Sequence, residues 1–221
     1  MPKTPLKISG GAETRQRLLE AAGEVFAEQG FRNTTIRAIC QRAKANLAAV
    51  NYHFGDKKRL YAAVMEYAQT RAREKYPLFR TESEARPAAE RLQAFIHFFM
   101  FSLLDEGVPA WFGKLMAQEM IEPTAVLDAL VEKFIRPMSQ QLGAIVRELL
   151  GDGATEERIR LCQLSIVGQC LHHRNSKPVI QRLFPLQKYG PEDILAVAEH
   201  ITRFSLGAMQ KLARVRGIEL P

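Results

Sequence analysis

Apolar residues recur at steps of three and four over nearly the whole 221-residue chain, the period of helices that bury one stripe. Across residues 13–29 the stripe is Leu18, Leu19, Ala22, Val25 and Phe26. Gly30 stands where such a helix stops, because glycine takes the left-handed closing conformation without a Cβ penalty. Asn33, Thr34 and Thr35 offer side-chain oxygens to cap a second helix over 36–42, whose inward face is Ile36, Ile39, Cys40 and Ala43. A tight turn at Lys44-Ala45 leads to Asn46, the cap of a third helix over 47–54. Gly55 ends that helix, and Asp56 caps a fourth over 57–75 that stops at Tyr76-Pro77. Three short helices with a tight turn between the second and third form a helix-turn-helix pattern.

After a polar connection at 78–86, the spacing predicts helices over 88–104, 110–121, 124–150, 156–173 and 191–216. Pro87, Pro109, Pro123 and Pro191 fall where first-turn prolines belong. Pro137 lies inside 124–150 and predicts a kink or a break. Gly151-Asp152-Gly153 reads as a turn, and 174–190 as a long connection. No segment alternates with a period of two. The predicted fold class is all-α: a three-helix helix-turn-helix domain followed by a second, larger helical domain. The boundaries drawn from the pattern are a flexible basic arm at 1–12, the helix-turn-helix at 13–60 and the second domain at 61–221.

Charge adds a partner to this picture. The net charge is +7, and residues 1–60 hold eleven Lys and Arg against five Asp and Glu, leaving twenty against nineteen for the rest. Such asymmetry suits a polyanion held by the first quarter of the chain, and a role in solubility is the alternative. With 47% hydrophobic residues the chain can bury a core. The N-terminus lacks the apolar stretch of a signal peptide, and no run reaches the roughly 18 apolar residues of a membrane span. Three cysteines without a C-x-x-C pair fit a reducing cytoplasm rather than a disulfide framework. Cys162 and Cys170 lie eight residues apart, too far along a helix to share an ion by themselves, so no metal is expected beside them or beside His172 and His173. No cofactor is expected.

The stretch from Thr14 to Tyr61 resembles the DNA-binding domain of the TetR family. The resemblance is carried by Arg17-Leu18-Leu19-Glu20-Ala21-Ala22, by Phe26-Ala27-Glu28-Gln29-Gly30-Phe31, by Thr34-Thr35-Ile36-Arg37-Ala38-Ile39, and by Asn51-Tyr52-His53-Phe54 with Lys57 and Leu60-Tyr61. The family usually has glycine at the tight turn, where this chain has Lys44. The resemblance implies double-stranded operator DNA as partner, with base contacts from Arg37, Ala48, Ala49 and Asn51. It implies phosphate contacts from Thr35, Tyr52, His53 and Lys57, and Asn46 joins this DNA-facing set. A two-turn third helix suits a major groove roughly 12 Å wide, where alanine methyls can meet thymine methyls and Asn51 can pair with adenine.

The resemblance also implies a homodimer formed by the last two long helices and a small-molecule effector held by the helical domain. Leu164, Leu171, Ile194, Ile201, Phe204 and Met209 are candidate interface residues, and a purely internal core is the alternative. Phe95, Phe98, Phe99, Trp111, Phe112 and Met116, with Glu119, Gln169 and His172 as polar interruptions, are candidate lining of the effector pocket. A packed core is the alternative here too. The runs from Gln118 to Thr124 and from Ser165 to Gln169 are similar to the CecR-like subgroup. Glycine-rich phosphate loops, H-E-x-x-H and G-x-S-x-G are all missing, which argues against an enzyme. The expected function is a cytoplasmic, sequence-specific repressor released from a pseudo-palindromic operator by its ligand. Activation, and an architectural DNA protein without sequence preference, are the rivals.

Overall fold

A computed structural model describes residues 9–75, 85–105 and 109–214. Among them stand eleven α-helices and one π-helical turn, with no strand. The helices are α1 (Ser9–Asn33), α2 (Ile36–Ala43), α3 (Leu47–Phe54), α4 (Lys57–Lys75), α5 (Ala88–Leu104) and α6 (Ala110–Ile121). After these come α7 (Ala125–Leu130), the π turn (Val131–Ile135), α8 (Arg136–Leu150), α9 (Glu156–Asn175), α10 (Lys177–Leu183) and α11 (Pro191–Arg214).

Four boundaries differ from the sequence expectation. Residues 9–12, expected as part of a flexible arm, are already helical, while residues 1–8 lie outside the described residues. Gly30 does interrupt α1, with φ 76° and ψ 162°, but helical turns resume after it as far as Asn33. The break expected near Pro137 is the π turn: α8 restarts at Arg136 with the proline in its first turn, where the missing N–H leaves no gap in the helix. The connection at 174–190 contains α10, which has no buried residue. Apolar periodicity had little to register there, because this short helix rests on the core through the half-buried Ile180 rather than through a buried stripe.

The described residues divide into two compact units, 9–71 with 109–131, and 72–75 and 85–105 with 132–214. The pattern assigned 110–131 to the second domain, but α6 packs on α1 in the first unit. The reason lies at Gly23. A Cβ there would stand 2.3 Å from the Trp111 indole, so only glycine lets the ring lie against α1. The core of this unit gathers Leu18, Leu19, Phe26, Ile39, Val50 and Tyr61, all at most 1% exposed. The Phe26 ring meets Tyr61 edge-on at 4.8 Å, and Phe31 lies 5.0 Å from Tyr61. Arg42 on α2 reaches back to α1 and forms ion pairs with Glu24 and Glu28, both at 2.9 Å.

The second unit packs α5, α8, α9 and α11 around Leu92, Ile96, Met100, Leu142, Val146 and Ile166. Cys162 and Cys170 are part of this core, and all three thiols of the chain are free and buried. Burial pushes the Cys170 thiol up to about 12, so it stays protonated and inert as nucleophile or ligand. His97 is buried as well, and loss of solvent holds its pKa below the usual histidine range.

Gly23→Ala tests the close approach of α1 and α6. In an open helix this exchange gains up to about 1 kcal/mol. Here the added methyl overpacks against Trp111, and the expected result is a net loss of about 1–3 kcal/mol in denaturant unfolding. A gain in stability would show that the indole moves aside freely.

Candidate nucleic-acid interface

The second and third helices are positioned by short-range chemistry that the sequence displays. Thr35 is extended, and its hydroxyl accepts from the Ala38 N–H at 3.2 Å, capping α2. Asn46 does the same for α3, its carboxamide oxygen accepting from the Ala49 N–H at 2.8 Å. Asp56 caps α4 through the Arg59 N–H at 2.8 Å. Between α2 and α3, Lys44 takes φ 49° and ψ 46°, and it has the one positive φ of any non-glycine among the described residues. The turn therefore has the left-handed geometry that glycine usually supplies, with lysine in its place.

Helix α3 is divided sharply. Val50 and Phe54 point into the core, at 1% and 7% exposure. On the other side Asn46, Leu47, Ala48, Asn51 and Tyr52 are exposed, with Tyr52 at 85% and Leu47 at 57%. Ala49 and His53 are half-buried, and on α2 Arg37 and Thr35 are exposed. Of the nine residues expected to face DNA, six are thus exposed (Thr35, Arg37, Asn46, Ala48, Asn51 and Tyr52) and three half-buried (Ala49, His53 and Lys57).

Lys57 has an internal role that the sequence hid. Its ammonium donates to the carbonyls of Arg32 at 3.2 Å and Thr34 at 2.9 Å, and it lies 4.8 Å from the Phe31 ring centroid. It ties the start of α4 to the residue before the α2 cap, and two of its three donors are engaged before any phosphate arrives. Thr34, one of the three capping candidates, does not cap α2. It is 2% exposed, and its hydroxyl donates back to the Gly30 carbonyl at 2.8 Å, closing the kink after α1. A Thr four residues after a helix-ending glycine was the available signal.

The residues chosen as pocket lining fall in both units. Trp111, Phe112, Met116 and Glu119 sit on α6 in the first, with Trp111 committed to Gly23. Glu119 is 1% exposed and accepts from the Thr124 N–H and hydroxyl, each at 3.0 Å. It closes the turn into α7, which accounts for the Glu and the Thr of the Gln118–Thr124 run. Burial, with the Glu119 carboxylate beside it, pushes the Tyr61 hydroxyl far above its usual range, so it stays a donor. In the second unit Phe95 is buried in the core, while Phe98 and Phe99 are half-buried. Gln169 bonds back to its own helix at Ser165, and His172 is exposed beside Ser176. A cleft of about 810 Å³ opens between α8 and the first half of α9, lined by Gly143, Arg147, Asp152, Glu156 and Gln163 among others; none of the nine expected lining residues borders it.

Three of the six interface candidates need correction. Ile194, Ile201 and Met209 are at most 2% exposed within one chain, so they have no surface left to bury against a partner. They follow Ala198 and Ser205 on the inward face of α11, a distinction that a broad apolar band conceals. The outward side chains are Leu195, Phe204 and Leu212 on α11 with Leu161 and Leu164 on α9, Phe204 at 60% and Leu164 at 61%. Leu171 is half-buried. Among the described residues no helix is long and apolar enough to cross a membrane, and no group of three metal-binding side chains gathers.

Residues 88–209 match the C-terminal domain of the HTH-type transcriptional dual regulator CecR, and residues 18–64 match the tetR family of bacterial regulatory proteins. The chain belongs to the TetR family. As a TetR-family transcriptional regulator of the CecR type it is not an enzyme, and the sequence resemblance identified both halves. It is 29% identical over 184 residues to CecR of Shigella flexneri, covering 80% of this chain and 82% of that one. To the transcriptional repressor NicS of Pseudomonas putida it is 35% identical over 65 residues, 29% of this chain and 31% of that protein. Among solved structures, a TetR-family regulator from Streptomyces coelicolor superposes with a TM-score of 0.65 at 18% identity, over 90% of this chain and 97% of that one. The regulator PfmR from Thermus thermophilus does so with 0.60 at 22%, over 94% and 98%. These two share the fold.

In this regulator Lys57→Ala is expected to lower stability by about 1.5–3 kcal/mol, the range for hydrogen bonds to a charged group, read from urea unfolding. An unchanged midpoint would mean that the two carbonyls do not depend on the ammonium.

Proposed function

We propose that this TetR-family regulator is a repressor that binds a pseudo-palindromic operator as a homodimer and is released by a small-molecule effector. The observation that carries the DNA reading is the division of α3: a helix of two turns locked inward by Val50 and Phe54, with Asn51 and Tyr52 held out to solvent. Arg37 and Asn51 carry the hydrogen-bonding chemistry for base edges. Thr35 at the N-terminus of α2, with Tyr52 and His53, suits phosphate.

The exposed faces of α9 and α11 support the homodimer. Five large apolar side chains on these two helices are each 38–61% exposed, and a second copy of the same faces would cover them. Support for an effector comes from the second unit's interior, where the Ser205 hydroxyl is buried with no hydrogen-bond partner. Left unpaired such a group costs about 1–3 kcal/mol, which a polar ligand atom would offset. An effector releases DNA only as far as it binds the non-binding state more tightly. A second reading, activation from some sites, draws on the description of the CecR relative as a dual regulator.

The test is retention of fragments from a random-sequence DNA pool at stated salt, since the phosphate contribution falls steeply as salt rises. A recovered inverted repeat is expected, and Asn51→Ala should relax its sequence preference by about 1–3 kcal/mol at one base pair of each half-site. Retention without enrichment would favour an architectural protein. Phe204→Glu is expected to convert the dimer to a folded monomer in analytical ultracentrifugation, and a dimer that survives it would move the interface elsewhere.

A further inference from the structure

The first turn of α3 contains no polar side chain after its cap, Asn46. The carboxamide oxygen of Asn46 is occupied by the Ala49 N–H at 2.8 Å, and Leu47, Ala48 and Ala49 bring no polar side-chain atom. In its place the turn exposes hydrocarbon: Leu47 is 57% exposed and Ala48 lies beside it. A single exposed leucine is ordinary on a protein surface. This one occupies the leading end of the helix whose polar face, Asn51 and Tyr52, is offered to DNA. On the edges of the major groove the apolar feature is the C5-methyl of thymine, while guanine, cytosine and adenine present donors and acceptors that a leucine would desolvate without replacing.

We infer that Leu47 is a specificity-determining residue that selects thymine in each operator half-site by packing on its C5-methyl. The inference rests on the DNA reading of α3 and deepens it. Sequence choice by this regulator is then split along one helix, apolar at the first turn and hydrogen-bonded at Asn51. Because the methyl group alone is read, 5-methylcytosine should be accepted at the same position better than cytosine. The chemistry predicts indifference to every thymine group except the methyl.

The experiment uses the full chain and the inverted repeat recovered from random DNA. Each thymine of a half-site is replaced in turn by deoxyuridine, which lacks only the methyl. One position is expected to weaken wild-type binding about fourfold per half-site, the value of one buried methyl. Leu47→Ala should lose a similar factor on the thymine operator and bind the thymine and deoxyuridine versions equally. Leu47→Met, which restores hydrocarbon, should recover the discrimination. Unchanged circular dichroism and melting of Leu47→Ala exclude a folding defect. If every deoxyuridine operator affects wild type and Leu47→Ala alike, the assignment to Leu47 is overturned while the DNA reading stands. If no sequence is enriched from the pool, the DNA reading falls and this inference with it.

Discussion

A helix of eight residues does not hold together in water, because the unfavourable nucleus is not repaid by so few propagating hydrogen bonds. Helix α3 has that length, and the first unit is organised around keeping it in place. Asn46 fixes its start and Gly55 its end, with φ 81°. Val50 and Phe54 hold it from beneath by burial. The surface it presents can then be chosen almost without regard to stability, because Leu47, Asn51 and Tyr52 are exposed and take no part in the core.

The first unit draws on its cations for this purpose. Arg42 is engaged by Glu24 and Glu28, and Lys57 by two carbonyls and the Phe31 ring. The positive balance of the first sixty residues is therefore not all available to a polyanion. A charge count from sequence weighs every lysine and arginine alike, whereas the fold divides them into those that bind the protein and those, such as Arg37, that face outward.

That division marks the limit of what was legible. Caps, turns and helix order depend on neighbours within four residues, so Thr35, Asn46, Asp56 and Gly55 were readable and stand as expected. Long-range choices were not. Whether Trp111 lines a pocket or lies on α1 is decided by the absence of a side chain at Gly23, eighty-eight positions earlier. Whether Ile201 or Phe204 faces outward depends on the rotation of α11, and these two residues of one apolar band end on different sides. The short α10 escaped because it has no buried stripe to betray it.

Lys44 shows how a departure from a preferred residue can cost little. A left-handed lysine is strained by roughly 1–2 kcal/mol. Yet glycine at this site would leave the unfolded chain more freedom to lose, about 0.5–1 kcal/mol. Lys44 also closes α2, and a cation at the C-terminal end of a helix gains about 0.3–1 kcal/mol from its dipole. Strain in the folded state is thus largely balanced by disorder removed from the unfolded state and by the field of the helix it ends. The turn keeps its shape, and a positive charge is retained two residues ahead of Asn46, at the threshold of α3.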